Sequence, residues 1–199
     1  GWRGSGGSWP PDRYSAVVRS VMTTVEPAAI ASPLATAAMP RRAGLVRSRR
    51  EGTRIYYRLA GERVGDLWAA VREVAERHVA EVHGLAGDYL GERGGIEQLS
   101  PPELEERLGR GEVVVLDVRP ESEYRAGHIP GAISAPLPAL ESVAKTLPRR
   151  RDVVAYCRGP YCVYADDAVR LLRERGLKAR RLDVGFPEWR RAGHAVETS

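Results

Sequence analysis

An alternation of short apolar strands with helices in the C-terminal half constrains the fold more than any other feature. Mainly apolar runs predict strands at 113–118 and 152–156, and a third strand is predicted at 179–182. Helical patterns lie before, between and after these strands, at 101–108, 121–125, 137–146, 163–175 and 187–191. Strands of this length that alternate with helices predict an α/β domain with a parallel sheet.

A cysteine, Cys157, directly follows the apolar strand VVAY and begins the segment CRGPYC. The Gly-Pro pair predicts a tight loop, and the residues after it predict a helix. A thiol at the carboxyl end of a parallel strand, facing a helix N terminus, lies where α/β folds bind ligands. The helix dipole and the charge of Arg158 favour a thiolate there. The alternative is that both cysteines, Cys157 and Cys162, are buried and inert.

Three segments, in order and at the expected spacing, resemble the rhodanese family: LDVRPESEYRAGHIPGAISAP, YCRGPYCVYADDAVRLLRERG and DVGFPEWRRAGHAVE. The resemblance covers 96–199 and implies an α/β rhodanese-like three-layer domain with a five-stranded parallel sheet. It implies a sulfurtransferase without a cofactor, in which Cys157 is the nucleophile. The partner would be a sulfur donor such as thiosulfate or polysulfide, and sulfur would pass on to a thiol or to cyanide.

The same resemblance implies roles for residues around Cys157. The backbone amides of one loop would cradle the persulfide: Arg158, Gly159, Pro160, Tyr161, Cys162 and Val163. Asp117 and Arg119 would brace this loop or meet an anionic substrate. Alternatively, Asp117 caps backbone amides and Arg119 pairs with Glu123. For His128, a structural hydrogen bond is favoured over acid–base catalysis.

Two positions of the loop depart from related enzymes. Phosphatases related to this family carry an arginine six positions after the cysteine, where this chain has Val163, which disfavours phosphoryl chemistry. Many single-domain rhodaneses carry an arginine where this chain has Cys162, so we expect slow thiosulfate turnover. Cys162 either resolves a persulfide or disulfide on Cys157, which requires Cα atoms within about 7 Å, or points into the core.

The segment RRAGLVRSRREGTRIYYRL, residues 41–59, predicts a basic hairpin with strands at 45–49 and 53–59 and a turn at Glu51-Gly52. Residues 62–90 predict an amphipathic helix. Its apolar stripe includes Val64, Leu67, Val71, Val74 and Val82.

This hairpin resembles the wing, and the helix resembles the dimerisation helix, of an ArsR-type winged helix-turn-helix. The resemblance implies a partial winged helix at 41–90, a homodimer, and DNA binding by the wing arginines Arg47, Arg49, Arg50 and Arg54. A solvated basic hairpin, and a helix that packs on its own chain, are the alternatives. Metal binding is not expected, because only His78 and Glu81 match the family's zinc pattern.

Residues 1–40 have a low-complexity composition and no assigned fold. Pro27, Pro33 and Pro40 exclude a long helix through 26–40, so the helix-turn-helix expected before a wing is missing. Either the reading frame is shifted upstream of about Pro40, or this copy of the motif is degenerate. No signal peptide and no apolar run of about 18 residues is found, so we expect a cytoplasmic protein without membrane contact.

Two functions therefore follow from the sequence. The first is a rhodanese-type sulfurtransferase that works through a Cys157 persulfide. The alternative is a DNA-binding transcriptional regulator in which Cys157 senses sulfur or redox state.

Overall fold

A computed structural model describes residues 41–79 and 95–199, and these two ranges fall into separate compact units. The first unit consists of strand β1 (Val46–Glu51), strand β2 (Arg54–Leu59) and helix α1 (Glu62–His78). Residues 1–40, and with them the predictions made for that segment, lie outside the described residues.

The predicted hairpin is present, with β1 and β2 antiparallel and in register from Val46 opposite Leu59 to Glu51 opposite Arg54. Because Glu51 still pairs across the strands, the turn consists of Gly52 and Thr53, one residue later than predicted. Gly52 has a φ of 60°, a conformation that glycine adopts without steric cost.

The helix predicted at 62–90 is described only in part, because residues 80–90, with Val82, lie outside the described residues. Helix α1 itself ends at His78, where Val79 takes an extended conformation and its N–H donates to the Ala75 carbonyl. Three residues of its apolar stripe are solvent-exposed, Leu67 at 56%, Val71 at 53% and Val74 at 60%, whereas Val64 is half-buried. None of the residues of α1 is buried, so its apolar face is uncovered as far as the structure describes the chain.

The second unit contains the expected five-stranded parallel sheet, in the order β3-β7-β6-β4-β5. Its strands are β3 (Gln98–Leu99), β4 (Val113–Asp117), β5 (Ile133–Ser134), β6 (Asp152–Tyr156) and β7 (Ala179–Leu182). Its helices are α2 (Pro101–Gly109), α3 (Glu121–Ala126), α4 (Leu137–Ala144), α5 (Tyr164–Glu174) and α6 (Phe186–Arg191).

The sheet has a hydrophobic core on each face, which makes this unit a three-layer α/β/α structure. Side chains alternate along β6, so Val153 and Ala155 enter one core while Val154 and Tyr156 enter the other. Helices α4 and α5 cover the first core, and α2 and α6 cover the second. Within the two described ranges, no helix has the length and apolar character that crossing a membrane requires.

Candidate active site

Cys157 lies at the carboxyl end of the central strand β6 and begins the loop that precedes α5. The residue is only 2% exposed and packs in the same core as Ala155. The loop ends at Val163, the N-cap residue of α5, so the first amides of that helix lie at the end of the loop. This is the strand–loop–helix arrangement that the sequence predicts around the thiol.

The two cysteines of the chain are joined to each other by a disulfide, with their Cα atoms 6.3 Å apart. The approach of the two sulfur atoms that a resolving role of Cys162 requires is therefore present. Cys162 is half-buried at the edge of the core, in contrast with the almost fully buried Cys157.

A buried arginine on β7 forms hydrogen bonds with the backbone of the loop. Arg181 donates from Nη2 to the carbonyls of Gly159 and Pro160, at 3.1 and 3.3 Å. Its Nε lies 3.3 Å from the carboxylate of Asp166 in the first turn of α5, and both side chains are buried. This ion pair connects β7, the loop and α5, and it is absent from the sequence-based predictions.

Arg181 had a recognisable signal. It lies two residues after Ala179 in β7, so it shares the phase of a buried position, where a charged side chain requires a partner.

Two residues of the predicted amide cradle do not offer an N–H to a ligand. Pro160 has no amide hydrogen, and the N–H of Cys162 donates to the Gly159 carbonyl at 3.1 Å. The prediction that every residue of 158–163 contributes an amide is therefore wrong, because the tight turn of the loop uses one amide internally and its proline lacks another.

Asp117 and Arg119 form a buried ion pair at the end of β4, beside the end of β6. Asp117 Oδ1 accepts from the backbone N–H and Nε of Arg119, each at 2.9 Å, and Oδ2 accepts from Nη2 at 2.6 Å. Arg119 also donates to the Gly127 carbonyl at 2.6 Å. The alternative pairing of Arg119 with Glu123 is wrong, because the closer Asp117 carboxylate already engages the guanidinium group.

Glu123 instead pairs with Arg158, whose Nε donates to Oε1 at 2.9 Å. The positive charge of Arg158, which follows Cys157 in the sequence, is thus paired with the negative charge of Glu123.

The Asp117–Arg119 pair is connected to Cys157 through Phe186. The Arg119 guanidinium lies 4.2 Å from the centre of the Phe186 ring, and the Phe186 N–H donates to the Cys157 carbonyl at 2.9 Å. Tyr156 donates its hydroxyl hydrogen to Asp117 at 2.6 Å. Burial, together with the Asp117 charge, raises the pKa of Tyr156 and so keeps this donor protonated. The pair thus supports the loop indirectly.

The turn before α6 packs directly against the loop at Gly185. A Cβ atom built there would lie 2.2 Å from the Gly159 nitrogen and 2.4 Å from the Arg158 carbonyl carbon. Only a residue without a side chain leaves room for this contact. Gly185 is a second feature that the sequence-based predictions did not include.

His128 contacts other residues of the fold through a hydrogen bond and a stacked ring. Its Nδ1 donates to the Tyr124 carbonyl at 2.9 Å, and its ring stacks on the Tyr124 ring with 3.8 Å between centroids. Its Nε2 lies 3.7 Å from the carboxylate of Glu197.

The predicted wing arginines lie in the other unit, on the hairpin. Arg47, Arg49 and Arg50 are exposed on β1, and Arg54 begins β2. Arg47 pairs across the strands with Arg58, and Arg49 forms an exposed ion pair with Glu51 at 3.0 Å. Like charges directly opposite each other destabilise a hairpin.

The fold and the cysteine loop together define a rhodanese-like domain, and residues 100–192 match the family described as Rhodanese-like domain. The chain belongs to this family. It is 30% identical over 100 residues to a sulfurtransferase from Allochromatium vinosum, an alignment that covers 49% of this chain and 92% of that relative.

A second relative covers more of the chain. The chain is 51% identical over 154 residues to the HTH-type transcriptional regulator Rv0324 of Mycobacterium tuberculosis, which covers 77% of this chain and 67% of that relative. The alignment of 154 residues has more residues than the segment 80–199. The similarity therefore extends into the first unit, which consists of β1, β2 and α1 and is called the hairpin-and-helix unit below. Among solved structures, the BH2092 protein from Bacillus halodurans has 30% identity and a TM-score of 0.49, over 51% of this chain and 77% of that one.

Proposed function

We propose that this protein is a sulfurtransferase in which Cys157 carries sulfane sulfur as a persulfide. The observation that supports this best is the position of Cys157, at the first residue of a loop between the central strand and the N terminus of α5. A helix N terminus favours the thiolate over the thiol and stabilises an anionic sulfur bound there.

The reaction begins from the reduced loop. The Cys157 thiolate attacks the sulfane sulfur of a donor such as thiosulfate or a polysulfide, and the donor's S–S bond breaks. From thiosulfate the leaving group is sulfite, and the terminal sulfur remains on Cys157. An acceptor thiolate or cyanide then attacks this terminal sulfur and regenerates the Cys157 thiolate.

Replacing Cys157 with serine is expected to abolish sulfur transfer. A serine hydroxyl is a far weaker nucleophile at neutral pH, so turnover should fall by about three orders of magnitude or more. The measurement is thiocyanate formation from cyanide, with thiosulfate or polysulfide as donor and a reductant present throughout. Circular dichroism checks that the variant is folded. Turnover by folded Cys157→Ser at the wild-type rate would refute the role of Cys157.

We propose further that the hairpin-and-helix unit is part of an ArsR-type winged helix that binds DNA, with the rhodanese-like domain as its sulfur or redox sensor. The similarity to a transcriptional regulator supports this, because the alignment extends into the hairpin-and-helix unit. Exposed arginines on β1 are suited to phosphate contacts. Modification of Cys157 would then change the affinity for DNA.

Removing two hairpin arginines is expected to weaken DNA binding. In the double variant Arg47→Ala/Arg49→Ala, the slope of log affinity against log salt should decrease by about 1 for each arginine that contacts a phosphate. The probe is a labelled duplex from the region upstream of the protein's own gene, titrated at several salt concentrations. The double variant Arg149→Ala/Arg150→Ala removes the same charge from exposed positions of the other unit and serves as control. Equal slopes for both double variants would contradict the assignment.

The exposed stripe of α1 leads to an expectation about assembly. Leu67 and Val71 are more than half exposed, and a second copy of the helix would cover them. We expect a homodimer at micromolar concentration that Leu67→Glu/Val71→Glu dissociates, as measured by sedimentation velocity. Glu73→Gln, on the same helix, is the control, and it should remain dimeric. A wild-type monomer at these concentrations would refute this interface.

A further inference from the structure

The loop of the active site contains a second thiol that is placed to react with the first. Cys157 begins the loop and Cys162 lies next to its end, and their Cα atoms are 6.3 Å apart. This separation lies within the range that disulfides span without backbone movement. The structure contains the bond itself, so each sulfur atom is within reach of the other.

Several contacts hold the loop in this conformation. Arg181 donates to the carbonyls of Gly159 and Pro160, and the Cys162 N–H donates to the Gly159 carbonyl. Gly185 packs against the backbone of the loop. A loop fixed in this way keeps the second thiol at a high effective concentration near the first.

The charges around the loop favour reaction between the thiols over tight binding of a dianion. Arg158 is paired with Glu123, and Arg181 is paired with Asp166. Position 162 itself carries a thiol, next to the N terminus of α5, where a thiolate is stabilised. The thiol is therefore an additional reactive group at this end of the loop.

We propose that Cys162 is a resolving thiol that reduces the Cys157 persulfide and gives the site a second activity, the reductive release of hydrosulfide. The proposal rests on the proposed function, because it requires the persulfide to form. The sulfur of Cys162 attacks Sγ of Cys157, and the bond between that Sγ and the terminal sulfur breaks. The terminal sulfur leaves as HS⁻ with the proton of the Cys162 thiol. The sulfane sulfur gains two electrons, which the two cysteines lose as they form the disulfide.

The disulfide is then the closed state of the site. Cys157 is almost fully buried in this state, and its sulfur is no longer a nucleophile. A dithiol reductant reopens the loop by thiol–disulfide exchange, and the dithiol becomes a cyclic disulfide. With a dithiol present, the chain catalyses the reduction of sulfane sulfur to hydrosulfide. Without one, each chain releases a single hydrosulfide.

The test uses the full-length chain, reduced and then freed of reductant under anaerobic conditions. Thiosulfate is the donor, because its leaving group is sulfite and any hydrosulfide must come from the transferred sulfur. After alkylation, trypsin cleavage at Arg151, Arg158 and Arg170 puts Cys157 and Cys162 on separate peptides, 152–158 and 159–170. A sample without donor reports adventitious oxidation.

For the wild-type chain we expect one hydrosulfide per chain, and the two peptides joined by a disulfide that appears as the persulfide disappears. The rate of this step should not depend on protein concentration, because the attack is intramolecular. In Cys162→Ser the persulfide on Cys157 should accumulate, and hydrosulfide release should fall about tenfold or more. The wild-type time course alone supports or refutes the step if the variant does not fold.

A persulfide that persists on the wild-type chain would overturn the role of Cys162 and leave the sulfurtransferase function intact. Equal hydrosulfide release from the wild type and Cys162→Ser would do the same. If neither chain gains sulfur, the proposed function fails, and the resolving role fails with it.

Discussion

Gly185→Ala is expected to lower both the stability and the sulfur-transfer activity of the protein. The new Cβ would lie 2.2–2.4 Å from backbone atoms of Arg158 and Gly159, and backbone cannot move aside as a flexible side chain can. Overpacking of this kind costs about 3 kcal/mol when the neighbour is rigid. The shift would also weaken the hydrogen bond from Phe186 to the Cys157 carbonyl, which fixes the start of the loop.

The measurement is thermal unfolding together with thiocyanate formation. A domain of this size loses about 4–8 °C in Tm for each kcal/mol, so Tm should fall by more than about 10 °C. Gly109→Ala is the matched control, because a Cβ there has no neighbour within 4 Å and the position ends a helix. A Gly185→Ala protein with wild-type Tm and activity would show that the turn does not support the loop.

Asp117→Ala is expected to destabilise the rhodanese-like domain strongly. Asp117 and Arg119 are both buried, and Asp117 also accepts the Tyr156 hydroxyl. Removal of one partner leaves a buried guanidinium group without its carboxylate, which costs about 3–5 kcal/mol. Sulfur transfer should fall as well, because Arg119 positions Phe186 and Phe186 bonds the Cys157 carbonyl.

Urea unfolding measures this loss directly. Arg110→Ala is the control, since Arg110 and Glu106 form an exposed ion pair that contributes about 0–1 kcal/mol. The control should unfold at nearly the wild-type urea concentration, whereas Asp117→Ala should unfold at a much lower one. A difference below about 1 kcal/mol between the two variants would mean that the buried pair does not stabilise the fold.

The sequence predicted the parts of the fold that depend on local patterns. The apolar strands β4 and β6 follow from hydrophobic runs, and the helices on either side of them follow from periodicity. Strands β3 and β5 have two residues each, which is too short for any periodic signal. They exist because β7 and β4 offer them a paired edge, so only the family resemblance implied a sheet of five strands.

The features of the site that depend on local sequence were also predicted, and those that depend on contacts between distant segments were not. Cys157 was found because it directly follows a strand and precedes a loop and a helix. Gly185 was not, since its role depends on a backbone contact between segments distant in sequence. The pairing of Arg119 depended on which of two nearby carboxylates tertiary packing places closer. The sequence analysis considered only Glu123 as a partner of Arg119, whereas the structure pairs Arg119 with Asp117.

The role of Cys157 can be tested by locating the transferred sulfur. The reduced chain is treated with thiosulfate or polysulfide, alkylated at once and digested with trypsin, which separates Cys157 on 152–158 from Cys162 on 159–170. We expect one additional sulfur on Cys157 at the earliest times. Sulfur found first on Cys162, or on neither peptide, would contradict it.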